Sequence, residues 1–417
     1  MSRLLLCFVL LAGCGTATPP AAGAVSDDDE TGDAYEPFDE LGKADGVQIP
    51  RGPVAFAAAC AGGDRVSIAA VGDVLLHGPL QQQAVRTSDR FRSLWRDVEP
   101  LLSRADIAYA NLEGPTAAGV TAAGKSVTDP GFVFDGVVYS SYPQFNYHPF
   151  LVDDLLATGI DVVSTANNHA LDRRPLGIDR TTAALEAAGL PYTGTRARGS
   201  ARAWHTTRSS AGFTLAFIAC TYATNGIPDP NGQVLDCFEQ EPELTAAVRD
   251  LAHDATIDAV IVTPHWGVEY NANPERSQVR LGHALLDAGA TAVLGSHPHV
   301  TQPWERYLTA DGRETFIIYS LGNFVSGQTS LARKSSLLVT LGLTRTDGGV
   351  MVNGVRYVPL YTSTVAGRLA VRPVGATGAA DSRALTVKMF GLFNLDAPDA
   401  PLETTPQCYP AWTPATH

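Results

Sequence analysis

From residue 66 to residue 321 the chain alternates short apolar runs with amphipathic stretches, and this alternation limits its fold more than any other feature. Val66–Val71 reads as a buried strand, and Phe91–Leu102 after it reads as helical. Ile107–Ala110 is a second strand, Pro149–Ala157 is helical, and Ile160–Ser164 is a third strand. Gly177–Ala188 is helical and stops at Gly189, a residue that ends helices because it enters the left-handed region without a Cβ clash. Phe213–Ala219, Ala259–Thr263, Ala292–Leu294 and Phe316–Tyr319 are further strands, with helical stretches at Leu244–Ala252 and Gln278–Ala288. Strands that alternate with helices in this way predict an α/β layered fold. From about residue 335 the texture changes. Leu337–Thr344, Val350–Leu360 and Leu385–Phe390 read as strands without clear helices between them, which predicts antiparallel sheet completing the domain.

The polar residues that can carry chemistry follow the strands, where open α/β sheets place their ligands. Asp73 follows the first strand, in Gly72-Asp73-Val74-Leu75-Leu76-His77. Glu113 follows the second, in Asn111-Leu112-Glu113-Gly114, and Asn167-Asn168-His169 follows the third, with Asp172 just beyond. His265 closes a later strand, in Pro264-His265-Trp266-Gly267-Val268-Glu269-Tyr270. Gly295-Ser296-His297-Pro298-His299 and Ser320-Leu321-Gly322-Asn323-Phe324 end the series. A single carboxylate after a strand is often a helix cap, and a single His is often a core or surface residue. The joint pattern points to metal. Two carboxylates, an Asn and several His at the ends of separate strands make a mixed nitrogen and oxygen ligand set suited to Zn, Mn or Fe. Two such ions, about 3.5–4 Å apart, clamp and activate a water nucleophile for phosphoryl chemistry.

The ends of the chain read differently. Arg3 precedes the apolar run Leu4–Leu11, which is too short to cross a bilayer as a helix. Leu11-Ala12-Gly13-Cys14 resembles a bacterial lipobox, so residues 1–14 are expected to be an export signal with Cys14 lipidated. Gly15 after it favours the outer membrane, by resemblance to Gram-negative sorting rules. Residues 15–50 are rich in Pro, Gly, Ala and acid, and are expected to form an extended linker. That segment holds nine acids against Lys43, which is eight of the thirteen net negative charges. The expected domain, residues 51–395, is therefore only mildly acidic, and the overall balance excludes a nucleic acid held through its phosphates. Residues 396–417, rich in Pro and Thr, read as an irregular tail. Of the six cysteines, Cys60, Cys220, Cys237 and Cys408 lie beyond the signal and Cys14. An even number in an exported chain suggests disulfides. Cys220 with Cys237 would close a short loop, and Cys60 with Cys408 would tie the two ends of the domain together. Four cysteines allow three pairings, and the others stay open.

Taken in order, Gly72-Asp73-Val74, Asn111-Leu112-Glu113, Ala166-Asn167-Asn168-His169 with Asp172, His265 to Tyr270, Gly295 to Val300 and Tyr319 to Phe324 resemble the signature blocks of the CapA family of capsule (poly-γ-glutamate) biosynthesis proteins. The resemblance covers roughly residues 66–328. That family is a branch of the calcineurin-like metallophosphatases, so the resemblance implies a four-layer α/β/β/α sandwich holding two divalent metal ions. It implies that Asp73 and His299 hold the first metal, that Glu113 stands at the bridging position, and that Asn168, His265 and His297 hold the second. His169 would be the general acid beside the leaving group, a role suited to a His near neutral pH. Asn167, Asp172, Trp266, Glu269, Tyr270 and Asn323 would support the ligands or face the substrate, with core packing the equal alternative for Trp266 and a turn cap the alternative for Asn323.

The chain departs from the pattern in three places. Where the superfamily has a His two residues after the first Asp, this chain has Leu75, which leaves the first metal short of a ligand. His77 is either its substitute or a supporting residue. Arg173-Arg174 follow Asp172 where CapA-like chains carry Gly, and the pair either grips an anionic substrate or forms a solvated turn. A lipid anchor is expected in place of the anchoring helix of capsulated Gram-positive relatives. Two functions are open. One is a metal-dependent hydrolase of phosphoesters or of amide bonds in a polyglutamate-like polymer. The other is an envelope protein that binds or anchors a capsular or other anionic polymer without catalysis.

Overall fold

A computed structural model describes residues 46–375 and 378–414. The export signal, Cys14 and most of the expected linker lie outside the described residues. Two sheets carry the fold. The eight-stranded sheet runs Arg368–Pro373, Gly349–Val365, Ser335–Thr346, Asp64–Leu75, Ile107–Leu112, Val162–Ser164 and Tyr192–Thr193, with Asn323–Ser326 also pairing onto Asp64–Leu75. On the Ile107 side of Asp64–Leu75 the strands are parallel; on the Ser335 side they are antiparallel. The six-stranded sheet runs His205–Ser210, Phe213–Thr221, Ala259–His265, Ala292–Leu294, Glu314–Leu321 and Thr301–Leu308, and its inner strands are parallel.

Alternation along these strands sorts the side chains into three apolar layers. Val66, Ile68, Ile107 and Val162 of the larger sheet face Leu215, Phe217, Ile261 and Ile318 of the smaller one. Ala69, Val71, Ala110 and Val163 point the opposite way, onto Leu151 and Leu155 of helix Phe150–Thr158 and Leu185 of helix Arg174–Ala188. Beyond the smaller sheet, Ile218, Val260 and Val262 meet Leu244 and Val248 of helix Glu241–His253, and Leu281 and Leu285 of helix Arg276–Asp287. The layers are therefore helix, sheet, sheet and helix, the four-layer sandwich that the resemblance implied. Burying one such Leu or Phe contributes about 1.5–3 kcal/mol. A one-residue slip would turn a strand's whole apolar set to the wrong face, so the register is fixed.

Several expectations need correction. Leu385–Phe390 is not a strand but the end of helix Ala380–Phe390. Its buried residues Ser382, Leu385, Thr386, Met389 and Phe390 recur at helical spacing, over a stretch too short for its period to separate helix from strand in the sequence. Phe91–Leu102 is two pieces, a 3-10 turn at Arg90–Leu94 and one α turn at Glu99–Leu102. Pro100 has no N–H to give, so it opens a new turn instead of continuing the old one. The body also begins before residue 51. Gly46 bridges Glu275, and the Val47 N–H donates to Pro274 O at 2.7 Å. The C-terminal segment is irregular yet pinned. Thr404 Oγ1 donates to Asn353 Oδ1 at 2.9 Å, and Cys408 is bonded to Cys60, their Cα atoms 5.5 Å apart. Cys220 is bonded to Cys237 inside the outer apolar layer of the smaller sheet. No helix among the described residues is long and apolar enough to cross a membrane.

Candidate metal centre

The C-terminal ends of the parallel strands of both sheets meet at one edge of the sandwich. Asp73 reaches that edge through a bulge. The pairing of Asp64–Leu75 shifts register between Ala70 and Asp73 on one side, and between Asp73 and Val74 on the other. Bulges re-aim side chains. Gly72 permits this one, because a Cβ there would lie 1.8 Å from Gly322 O. Asp73 is fully buried, and its Oδ1 accepts from Asn111 Nδ2 at 2.8 Å. Asn111 is fixed in turn by Ser164, whose Oγ donates to Asn111 Oδ1 at 2.7 Å.

Glu113 follows strand Ile107–Leu112 and is fully buried, with no hydrogen-bond partner for either carboxylate oxygen. Burial first, and then the neighbouring Asp73 charge, raises its pKa well above the ordinary carboxylate range. His265 ends strand Ala259–His265 with Nδ1 4.0 Å from Asp73 Oδ1 and Nε2 3.6 Å from Glu113 Oε1. Its Nε2 also lies 2.9 Å from Asn168 Oδ1. Burial, reinforced by the other histidines, holds His265 and His297 well below the usual imidazole pKa, so both are neutral, the form that binds metals. His299 goes the other way. Burial lowers it, but the Glu113 and Asp73 carboxylates outweigh burial and raise its pKa to about 9. Its Nδ1 is 3.3 Å from Asp73 Oδ2 and 3.0 Å from Asn323 Oδ1, and its Nε2 is 3.8 Å from Glu113 Oε1.

The residues fall into two groups. Asp73, Glu113 and His265 bring one ligand atom each within 4.8 Å of one another, and so do Glu269, His297 and His299. Asp73 Oδ2, Glu113 Oε1 and Oε2, and His297 Nδ1 are buried with no hydrogen bond, those carboxylate oxygens having only the nearby imidazoles at 3.3–3.8 Å. Buried polar atoms are otherwise almost always satisfied. Unpartnered lone-pair donors converging on one space fit a divalent cation, which would also offset the two carboxylates.

His169 stands outside both groups. Its Nδ1 is 2.7 Å from Asp172 Oδ2, which also accepts from the Phe145 N–H at 2.7 Å, and the Phe145 ring meets the imidazole edge-on. Asn167 Nδ2 donates to Leu112 O at 2.8 Å and so ties its loop to the strand that carries Glu113. The Tyr270 ring lies 6.1 Å from that of His299.

Burial decides several alternatives left open by the sequence. Trp266 takes the packing role: it is fully buried in the layer beneath helix Arg276–Asp287, with its indole N–H donating to Tyr319 O at 3.0 Å. His77 takes no place in either group. Its ring sits edge-on to Phe145, and its Nδ1 accepts from the Gly327 N–H at 3.2 Å. Arg173 neither grips a ligand nor lies in a solvated turn. It is fully buried, and its guanidinium donates to Val120 O, Gln144 O, Asp172 O, Val138 O and Ser140 Oγ. It thereby organises the segment between Glu113 and Pro149, which has no regular helix or strand and supplies the Phe145 wall beside His169. Sequence reasoning also missed Tyr222, whose ring is 4.4 Å from His297, and Asn225, whose Oδ1 accepts from Asn168 Nδ2 at 3.2 Å. Both lie on the loop after strand Phe213–Thr221, and position after a parallel strand was the signal available for them.

Residues 67–328 match the family described as bacterial capsule synthesis protein PGA_cap. The chain is 27% identical over 316 residues to the capsule biosynthesis protein CapA of Bacillus anthracis, covering 71% of this chain and 67% of that one. It is 27% identical over 304 residues to the PGA biosynthesis protein CapA of Bacillus subtilis, covering 69% and 70%. Among solved structures, the calcineurin-like phosphoesterase YfkN of Bacillus subtilis aligns with 15% identity and a TM-score of 0.42, over 78% of this chain and 96% of that one.

Proposed function

This chain belongs to the bacterial capsule synthesis protein PGA_cap family, and from that premise we propose that it is a dinuclear-metal, phosphoesterase-like hydrolase of the cell envelope. Its substrate is a phosphoester or a capsular, poly-γ-glutamate-like anionic polymer. The observation that carries this reading is the set of buried, unpartnered donors on Asp73, Glu113 and His297. Asp73, Glu113, Asn168, His265, His297 and His299 would hold two ions drawn from Mn, Zn or Fe. When bound, such ions supply Lewis-acid polarisation of the substrate and activation of water. The protein's own residues do the rest. Asp172, fixed by the Phe145 N–H, takes the Nδ1 side of His169 and leaves Nε2 as the nitrogen that protonates the leaving oxygen. Asn111 and Asn323 orient Asp73 and His299.

One observation favours the second reading, a polymer-binding protein without catalysis. Leu75 is buried in an apolar layer and offers no donor where the superfamily has a His. Elemental analysis of the purified protein, paired with a screen of phosphoesters, separates the two. The enzyme reading expects two divalent ions per chain and turnover that a chelator removes. A metal-loaded protein that hydrolyses no phosphoester, yet binds acidic polymer equally well with His169→Ala, gives the binding reading instead. The envelope location rests on the lipobox-like Leu11–Cys14 segment. Native protein is expected in the detergent phase of a phase-partitioning assay, and Cys14→Ala is expected to move it to the aqueous phase. Unchanged partitioning and processing in Cys14→Ala would remove the anchor.

A further inference from the structure

The turn after strand Ala259–His265 carries a carboxylate that the resemblance did not make a ligand. After strand Ala259–His265 the chain buries Trp266 and then turns sharply. Gly267 has φ +94, and a Cβ there would lie 2.6 Å from the Gln278 side chain, so only Gly passes this point without displacing it. Tyr270, with φ 66, completes the turn in the left-handed region, where a bulky residue is strained. Three contacts hold it there. Its N–H donates to Pro298 O at 2.7 Å, its hydroxyl accepts from Gln328 Nε2 at 3.3 Å, and the Arg333 guanidinium lies 3.8 Å above its ring. The facing turn is strained in the same sense, with His297 at φ 101 and His299 at φ 59. Each such residue costs on the order of 1–3 kcal/mol and persists only where its surroundings determine it. Both turns therefore keep an unfavourable backbone, and together they bring the Glu269 carboxylate within 4.8 Å of donor nitrogens on both histidines. Glu269 itself is exposed, so this group opens to solvent, whereas Asp73, Glu113 and His265 are sealed.

We propose that Glu269 is a metal ligand, forming with His297 and His299 the open half of the dinuclear centre. Two imidazoles and one carboxylate with an unfilled face are a donor set that catalytic zinc and non-haem iron sites use. The proposal rests on the dinuclear reading above, and the test separates the two. Metal-free protein and Glu269→Gln are titrated with Mn²⁺; bound ions are counted by equilibrium dialysis, and the spectrum of the coupled pair is followed by electron paramagnetic resonance. Gln keeps the shape of an exposed side chain, and circular dichroism checks the fold. Native protein is expected to bind two ions and give an exchange-coupled spectrum. Glu269→Gln is expected to keep one tight ion and give the spectrum of an isolated ion. Two ions with the native affinity and spectrum in Glu269→Gln would overturn the assignment and leave the metal centre standing. So would a loss of about 10–100-fold in affinity with the coupled spectrum intact, which is the behaviour of a residue that only supports a ligand. Native protein that binds no Mn²⁺, Zn²⁺ or Fe²⁺ would sink the dinuclear reading and this assignment with it.

Discussion

His169→Ala is expected to keep its full metal content and to lose turnover by about 10²–10⁴-fold, the range that a positioned proton donor typically contributes. The geometry separates it from its neighbours. Asn168 touches His265, but His169 turns its Nδ1 to Asp172 at 2.7 Å and belongs to neither ligand group. His297→Ala is the matching contrast. Its Nδ1 is buried without a partner in the protein, so its removal is expected to lower bound metal as well as turnover. Metal content by elemental analysis, set beside kcat for a simple phosphoester, reads both variants. A His169→Ala protein with native kcat would take the acid role away from this residue, and one that loses its metal would make His169 a ligand.

Arg173→Ala is expected to lower the unfolding free energy by about 3–5 kcal/mol, because it leaves a nest of buried acceptors without their donor. Burial already lowers the guanidinium pKa to about 10, so the group remains charged at neutral pH. Val120 O, Val138 O, Gln144 O and Ser140 Oγ all lie on the segment that walls His169, so the loss is expected to be local as well as global. Limited proteolysis should cut between residues 113 and 149, and turnover should fall with it. Arg173→Lys is not expected to rescue the loop, since an ammonium cannot reproduce a planar fork of donors. A variant that melts like the native protein, with this segment protected, would show that the loop holds its shape by other means.

Much of this was legible in the chain, for physical reasons. Strands buried on both faces read as continuous apolar runs, and each loop with a candidate donor follows one of them, so both the layering and the candidate donors were open to inspection. Thr301–Leu308 escaped notice because it is an edge strand, with Pro303, a half-buried Glu305 and an exposed Arg306 that no central strand would tolerate. Arg173 escaped because two adjacent arginines look like surface charge until the acceptors, more than twenty residues earlier, are folded around them. For Trp266 the sequence left stacking and packing open, since proximity to His265 says nothing about which face of the sheet a side chain takes. The placement of Glu269 beside His297 and His299 depends on two left-handed turns, and backbone strain leaves no mark in composition.

The bond between Cys60 and Cys408 also sets the route that a pull at the N-terminal end would take through the domain. A pull on the chain ahead of Gly46 would meet the Gly46–Glu275 bridge, then the bonds of Gly52, Val54 and Ala57 to the body, and then Cys60, all before Asp64. The disulfide diverts that tension into the C-terminal segment, which leans on the antiparallel half of the larger sheet through Thr404 and Asn353. Strand Asp64–Leu75, which holds Asp73 in its bulge, is thereby shielded from being peeled lengthwise. A domain stapled in this way can be pulled by its N-terminal end while the spacing of the donors it carries stays unchanged.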